Sequence, residues 1–242
     1  MDQEIQELCD YLVEKLETNP THRRLLVGLA GVPGSGKSTI AELLNQKIND
    51  RLRKSVPIRT ESNGSRVESI LVGLDGWHLS RAELDLFPDP KLAHDRRGVH
   101  WTFNGSTYVD FVRSLHEDVT HDIVLKAPSF IHSLKDPTPD AIVIHPYHRI
   151  VILEGLYVFL SIEPWNKAGI LLDERWLISV DQASVKTRLV ERHVRTGVAS
   201  DANEAAWRAD ENDIPNGQFL LANNLEPTRV IHSMDSSALN SQ

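Results

Sequence analysis

Apolar and polar residues follow two patterns along the 242 residues of this chain. Short continuous apolar runs are typical of parallel strands buried on both faces, and apolar residues spaced three and four apart predict amphipathic helices. The predicted strands are 25–30, 69–74, 150–153, 175–180 and 229–234. The predicted helices are an N-terminal one that ends at Asn19-Pro20 and those at 38–53, 106–117, 184–196 and 201–212. This alternation predicts a three-layer α/β fold with a mostly parallel sheet.

More polar segments divide the predicted domain into parts. Two short strands at 123–127 and 141–144 predict a hairpin-like insertion, and the polar stretch 80–102 predicts a substrate-facing excursion. The segment 54–65 has little periodicity and predicts an exposed loop. The expected divisions are an N-terminal helix at 1–20 packed on the domain, a main domain at 21–234 with a substrate-facing insertion at about 77–148 and a lid at about 186–216, and a flexible tail at 235–242.

A glycine-rich segment between the first strand and the next helix matches the phosphate-loop pattern G-x-x-x-x-G-K-[ST]. Its glycines allow successive N–H groups to point inward around a phosphate, and the following helix adds its positive dipole end. Lys37 is expected to reach the β- and γ-phosphates, and the Ser38 hydroxyl to bind Mg²⁺. The predicted nucleotide-binding residues of this loop are Gly31, Val32, Pro33, Gly34, Ser35, Gly36, Lys37, Ser38 and Thr39.

Two acids follow other predicted strands, because Asp75 ends one apolar run and Glu154 ends another. Open parallel sheets bind ligands beyond the carboxyl ends of their strands, so both acids are expected to meet the phosphate loop. Phosphoryl transfer needs a group that orients the attacking hydroxyl and a bound metal ion. We assign Asp75 as the base and Glu154 as a magnesium-holding group acting through water, although the roles can be exchanged. The alternative for each acid is a helix cap or an arginine pair.

Three arginines share one face of the helix predicted at 184–196, since Arg188, Arg192 and Arg195 are spaced four and three apart. Cations on one face repel unless anions arrive. We therefore expect a mobile cover over the nucleotide and the transferred phosphoryl group. The alternative is a solvated face balanced by Glu191 and Asp201.

Aromatic and histidine side chains border the predicted acceptor side. Trp77, Trp101 and Phe103 are expected either to flank a ring-bearing substrate or to belong to the core. His78 is the best substrate candidate among 11 histidines, since it closely follows Asp75. None of the histidines has the spacing of a metal-binding motif.

The net charge of −8 argues against a general nucleic-acid or anionic-membrane binder. Cys9 is the only cysteine, which excludes an intramolecular disulfide and favours a reducing compartment. No apolar stretch approaches the ~20 residues needed to cross a bilayer. The N-terminus is acidic, unlike a transit peptide. We expect a cytoplasmic protein.

The ordered set of motifs resembles the phosphoribulokinase/uridine kinase family of P-loop kinases over roughly 25–234. The matching segments are 31–38, 75–78, 153–155, 188–195 and 212–216. The resemblance implies a nucleoside-monophosphate-kinase-like fold with a helical lid, ATP with Mg²⁺, and a base at Asp75. It also implies an adenine-side contact near 223–228, which gives Thr228, and a substrate role for His132, where the family's H-x-R element is loosely echoed. The segment Asp75-Gly76-Trp77-His78 is closer to the D-G-F-H of pantothenate-kinase-like and sugar-kinase-like relatives than to the D-S-F-Y of uridine kinases.

These features predict an ATP-dependent kinase that transfers the γ-phosphate to a hydroxyl of a small metabolite. A nucleoside is the first expectation, and a sugar or a pantothenate-like compound is the alternative. The expected site residues include Lys37, Asp75, Glu154 and Arg192 for catalysis, with Arg195 on the substrate. A GTPase-like switch would need N-K-x-D, and the nearest string at 166–169 lacks the aspartate. A nucleotide-binding regulatory protein is the third alternative. We expect no nucleic-acid polymer and no membrane as partners, and a homodimer is left open.

Overall fold

The computed structural model describes residues 2–18, 22–55, 67–120, 123–131 and 134–233. Several predictions fall wholly or mainly outside the described residues: the end of the first helix at Asn19-Pro20, most of the loop 54–65, His132 and the tail 235–242. The strands in chain order are β1 (Leu25–Gly31), β2 (Glu68–Gly73), β3 (Leu125–Ile131), β4 (Asp136–Ile144), β5 (His148–Glu154), β6 (Glu174–Ser179) and β7 (Arg229–His232).

The main sheet contains five parallel strands in the order β2-β5-β1-β6-β7. All seven residues of β1 are buried, as expected for a central strand. Leu26 and Ala30 belong to the core on one face, and Val27 and Leu29 belong to the core on the other. The three-layer α/β fold predicted from the continuous apolar runs is therefore confirmed.

The helices cover both faces of this sheet. In the described ranges they are α1 (Asp2–Thr18), α2 (Lys37–Ser55), α3 (Arg81–Leu84), α4 (Pro90–Asp95), α5 (Gly105–His116), α6 (Asn166–Gly169), α7 (Gln182–Arg195), α8 (Ala202–Arg208) and α9 (Ile214–Ala222). A π-helical turn at Ala209–Asp213 joins α8 to α9. None of the helices in these ranges is long and apolar enough to cross a lipid bilayer.

The helices α5 and α9 differ from the predictions. The cap of α5 is Asn104, whose side chain accepts a hydrogen bond from the Thr107 N–H at 3.2 Å, so the helix begins at Gly105, one residue before the predicted start. The helix α9 was not predicted, because Pro215 and Gly217 interrupt its pattern. Proline is tolerated in the first turn of a helix, where its missing N–H has no partner to lose.

The predicted hairpin is present as the antiparallel pair β3 and β4, a separate two-stranded sheet. Both strands are longer than expected, since Pro128, Pro137 and Pro139 made 128–139 resemble a loop. The hairpin packs directly on the turn that carries Asp75, because a side-chain carbon at Gly76 would collide with the Pro128 carbonyl. It therefore borders the end of β2.

A buried glutamate ties α1 to the amino-terminal edge of the sheet. Glu174, the first residue of β6, accepts hydrogen bonds from Lys15, the Tyr11 hydroxyl at 2.6 Å, the Trp176 indole at 3.0 Å and the Thr228 hydroxyl at 2.5 Å. Burial opposes its ionisation, but these donors outweigh burial and lower the pKa of Glu174 from 4.5 to about 2. Its ionised form is thus stabilised by folding.

We predict that Glu174→Gln lowers the free energy of unfolding by about 3 kcal/mol, because Lys15 loses its buried partner. A folded pKa below the unfolded one adds stability above pH 4.5, and this contribution is lost as the pH falls toward about 2. Urea titrations from pH 7 to pH 2 measure both effects. Glu163→Gln, which changes an exposed pair with Lys167, is the control and should leave the midpoint unchanged. Equal midpoints for wild type and Glu174→Gln at pH 7 would contradict this account.

Candidate active site

The segment after β1 forms a tight loop that leads directly into α2. The Ser35 N–H donates to the Val32 carbonyl at 3.1 Å, and Gly34 and Gly36 have φ values of 79° and 83° that favour glycine. A cavity of about 450 Å³ lies over the loop and the first turn of α2. A loop with two glycines at positive φ, the N-terminus of α2 and an adjoining cavity form a setting that fits the phosphates of a nucleotide.

Glu154 reaches this loop from the end of β5. The strand β5 lies between β1 and β2, where Glu154 is paired in register with Leu29 and Gly73. The Ser38 hydroxyl donates to Glu154 Oε1 at 3.1 Å, and Lys37 Nζ lies 3.9 Å from the same oxygen. The predicted approach of Glu154 to the phosphate loop is therefore present in the structure.

Asp75 lies in a 3-10 turn, two residues beyond the end of β2. Burial raises the pKa of the Glu154 carboxyl and Asp75 raises it further, whereas Lys37 and the Ser38 hydroxyl lower it. The Asp75 carboxylate is therefore near enough to Glu154 to act on it electrostatically. The Asp75 side chain is 54% exposed, and His78 Nδ1 lies 3.8 Å from its Oδ1. The Asp75 side chain is thus more accessible to a substrate than that of Glu154, which is 15% exposed.

Ser38 and Glu154 are the side chains that fit a magnesium ion. Among the described residues, no group of three or more His, Cys, Asp or Glu side chains could hold a metal alone. Mg²⁺ usually keeps several waters and uses one or two protein carboxylates together with substrate phosphates. A hydroxyl and a carboxylate at 3.1 Å from each other, beside a phosphate loop, match that donor set.

The three arginines of α7 all border the cavity over the phosphate loop. Arg188, Arg192 and Arg195 line it together with Glu191 and Ser233. Arg188 Nη1 lies 3.5 Å from the Gly34 carbonyl, and Arg192 pairs with Asp213 at 3.6 Å. The predicted shared face is therefore present. Arg195, expected on the substrate, instead lies with the other two arginines at this cavity.

Thr228 is a wrong prediction. Its hydroxyl donates to Glu174, so Thr228 lies at the amino ends of the strands, whereas the phosphate loop lies at their carboxyl ends. From β7, it is the carboxyl end that approaches the loop cavity, because Ser233, just past that end, lines it. The signal was available, because ligands of parallel sheets bind where strands end and not where they begin.

Two of the three aromatic candidates belong to the core. Trp77 is 4% exposed against Tyr108 and Phe111, and Phe103 is 7% exposed against Tyr157 and Trp165. Trp101 is 37% exposed and packs on Phe87. Trp77 and Phe103 are therefore core residues, which was the alternative to a place beside the substrate.

His78 keeps its place beside Asp75. The centroid of the His78 ring lies 3.9 Å from that of Phe103 and 5.0 Å from that of Phe130. The Nδ1 of His78 is 2.9 Å from the Asp75 carbonyl oxygen. Sequence reasoning missed Phe130 and also Arg97, whose guanidinium lies 5.5 Å from the Phe130 ring. The only signal for Arg97 was the charged stretch 94–98 within the polar excursion.

Comparisons with known proteins identify the family. No protein-family model matches the chain. The chain is 36% identical over 228 residues to a Schizosaccharomyces pombe protein named "Putative uridine kinase C227.14", which covers 94% of this chain and 90% of that protein. The structure of the present chain is similar to that of YFH7 from Saccharomyces cerevisiae, with a TM-score of 0.80, 25% identity, and coverage of 94% of this chain and 98% of YFH7. It is also similar to a "putative fructose transport system kinase" from Silicibacter sp. TM1040, with a TM-score of 0.77, 25% identity, and coverage of 94% and 98%. Together with the motif order, which predicted this result, these findings show that the chain belongs to the phosphoribulokinase/uridine kinase family of P-loop kinases.

Proposed function

We propose that this kinase transfers the γ-phosphate of ATP to a hydroxyl of a small metabolite, with a nucleoside as the first candidate acceptor. The observation that carries the proposal is the contact of Glu154 with both Ser38 and Lys37, near enough to the exposed Asp75 for the two acids to interact electrostatically. A phosphate cradle, a metal-binding pair and an accessible carboxylate are the parts that phosphoryl transfer requires. A simple nucleotide-binding protein needs only the first of them.

Each residue has a role that follows from its position. The loop amides and Lys37 bind the phosphate tail, and the arginines of α7 add positive charge from the opposite side of the cavity. A bound Mg²⁺ would neutralise phosphate charge, and Ser38 and Glu154 would hold it. Asp75 accepts the proton of the acceptor hydroxyl, and His78 restricts the side chain of Asp75.

The parts of the chain can be assigned roles in the same way as the individual residues. We propose that about 77–148 forms the acceptor side and about 186–216 forms the lid, with α1 as a structural addition to the domain. The single cysteine, Cys9, is buried and free, and it supports the proposal of a reducing, cytoplasmic location.

Two acceptor classes have specific support. The name of the Schizosaccharomyces pombe relative supports a nucleoside. The similarity to the Silicibacter structure, together with the segment Asp75-Gly76-Trp77-His78, supports a sugar such as fructose. A pantothenate-like acceptor rests on that segment alone.

A panel of uridine, cytidine, fructose, glycerate and pantothenate with MgATP tests the proposal directly. We expect one class to gain a single phosphoryl group, detected by mass spectrometry, at a rate that Lys37→Ala abolishes. ATP hydrolysis that is equally fast with and without every compound would favour a switch. Absence of both reactions would favour a regulatory nucleotide-binding protein.

We predict that Asp75→Asn lowers the turnover of phosphoryl transfer at least ~100-fold, because general-base assistance is lost. The Kd for MgATP should stay within about threefold, since Asp75 lies beyond the phosphate loop. Asp110→Asn, which changes an exposed acid on α5, is the isosteric control. Turnover of Asp75→Asn equal to that of the control would remove Asp75 from the mechanism.

We predict that Glu154→Gln stabilises the ligand-free protein at pH 7.5. The raised pKa of Glu154 means that its ionised form is disfavoured in the folded state, so its cost to stability is present above that pKa and disappears as the pH falls through it. Thermal unfolding midpoints should therefore be higher for Glu154→Gln at pH 7.5 and converge near pH 4.5. Added MgATP should reverse the order, because the variant cannot provide the carboxylate. A lower midpoint for ligand-free Glu154→Gln at pH 7.5 would contradict this reasoning.

A further inference from the structure

Arg97 lies where three acceptor-side segments meet. Its guanidinium donates to the Leu79 carbonyl at 2.7 Å, just beyond the turn that carries Asp75. It also donates to the Lys135 carbonyl and to Asp136 Oδ1 at 3.2 Å, where β4 begins. Arg97 itself belongs to the excursion 80–102. One side chain therefore joins the turn after β2, the excursion and the hairpin.

The planar guanidinium suits this junction. The Arg97 side chain is 15% exposed, and it faces the Phe130 ring at 5.5 Å. Separate nitrogen atoms serve the Lys135 and Leu79 carbonyls. A lysine ammonium is a point charge on a flexible stem and cannot hold the same set of acceptors in one plane. The identity of the residue thus matters beyond its charge.

The contacts of Arg97 lead to Asp75 through one ring. Phe130 packs against Arg97 on one side and against His78 at 5.0 Å. The Nδ1 of His78 is 2.9 Å from the Asp75 carbonyl and 3.8 Å from its Oδ1. If the guanidinium moved, Phe130 would lose a packing partner, and so the His78 ring beside Asp75 would be held less firmly.

The backbone of the same residue faces the lid. Asn212 Nδ2 donates to the Arg97 carbonyl at 3.3 Å, and Asn216 Nδ2 donates to the Gly98 carbonyl at 3.4 Å. Gly98 has a φ of 112°, which favours glycine, and its carbonyl also accepts from the Tyr157 hydroxyl at 3.0 Å. Asn212 belongs to the π-helical turn, a type of distortion that is frequent at functional sites.

The lid side of this contact is connected to the arginine helix. Asp213, next to Asn212, pairs with His193 at 2.8 Å and with Arg192 at 3.6 Å. Arg192 lines the phosphate-loop cavity. Polar contacts, together with the peptide bond between Asn212 and Asp213, therefore join the nucleotide side of the lid to Arg97.

We propose that Arg97 is a positioning residue of the acceptor site. Its side chain holds Phe130 and, through it, His78 beside Asp75, and its carbonyl, which accepts from Asn212, aligns the acceptor segments with the lid. This inference rests on the proposed function, in which Asp75 receives the acceptor hydroxyl. Its consequence is that closure of the lid over a nucleotide also orders the acceptor side.

Hydrogen–deuterium exchange with the non-hydrolysable analogue AMP-PNP and Mg²⁺ tests the lid contact without any acceptor. In wild type, the analogue should slow exchange both at 209–216 and at 96–100. In Asn212→Ala, which removes the contact with the Arg97 carbonyl, the slowing at 209–216 should remain and that at 96–100 should be lost. In Arg97→Lys, which keeps that carbonyl but loosens the segment that carries it, the slowing at 96–100 should be reduced. Arg81→Lys is the matched control, since the Arg81 side chain also pairs with Asp136 at 3.0 Å but is 57% exposed and otherwise donates to the Leu134 carbonyl at 3.4 Å.

Kinetics with the acceptor that the panel identifies separate positioning from folding. Arg97→Lys should lower kcat for transfer at least ~10-fold, because a small misplacement of the reacting groups is costly, while the Kd for AMP-PNP stays within about threefold. Arg81→Lys should match wild type in both. If Arg97→Lys does not fold, Asn212→Ala, which keeps Arg97, carries the exchange test.

Protection at 96–100 that persists in both variants, or a kcat of Arg97→Lys equal to that of Arg81→Lys, would overturn the inference. Failure of the proposed function has a different signature. In that case wild type phosphorylates no acceptor of the panel, whereas the exchange result still reports whether the lid orders the segment around Arg97.

Discussion

The position of β5 between β1 and β2 is the constraint on which the rest of the site depends. Because all three strands are parallel, their carboxyl ends lie at one edge, and Glu154 is held in register beside Leu29 and Gly73. The phosphate loop follows β1 and Asp75 follows β2, so Glu154 contacts Ser38, 116 positions earlier in the chain, from the end of a neighbouring strand. A slip of one residue in β5 would turn Glu154 toward the opposite face of the sheet.

Placing Glu154 here lowers the stability of the fold, and the packing of the sheet offsets this loss. Glu154 is largely withdrawn from water at the end of β5, where burial disfavours its charge, and Lys37 and the Ser38 hydroxyl compensate in part. Active sites commonly hold groups in states that folding alone would not favour. The continuous apolar packing of β1 on both faces supplies the stability that allows it.

The features that the sequence could predict are those with a local code. The phosphate loop is recognised from eight consecutive residues, and Glu154 and Asp75 from their places after apolar runs. Thr228 was misplaced because the family resemblance indicated a loop without indicating which end of β7 faces the phosphate loop. Trp77 and Phe103 could not be assigned, since a large ring is equally suited to a core and to a substrate wall. The contacts of Arg97 join residues 18 to 115 positions apart, and no pattern in one sequence reports such pairs.

The anchoring of α1 has a consequence for how this chain can vary. Its cluster around Glu174 is at the edge of the sheet opposite to the phosphate loop, and Arg229 adds a cation over the Tyr11 ring at 4.6 Å. We expect substitutions in this cluster to change the free energy of unfolding, because the residues that line the phosphate-loop cavity lie at the opposite ends of the strands. Folding stability and catalysis therefore depend on different ends of one sheet.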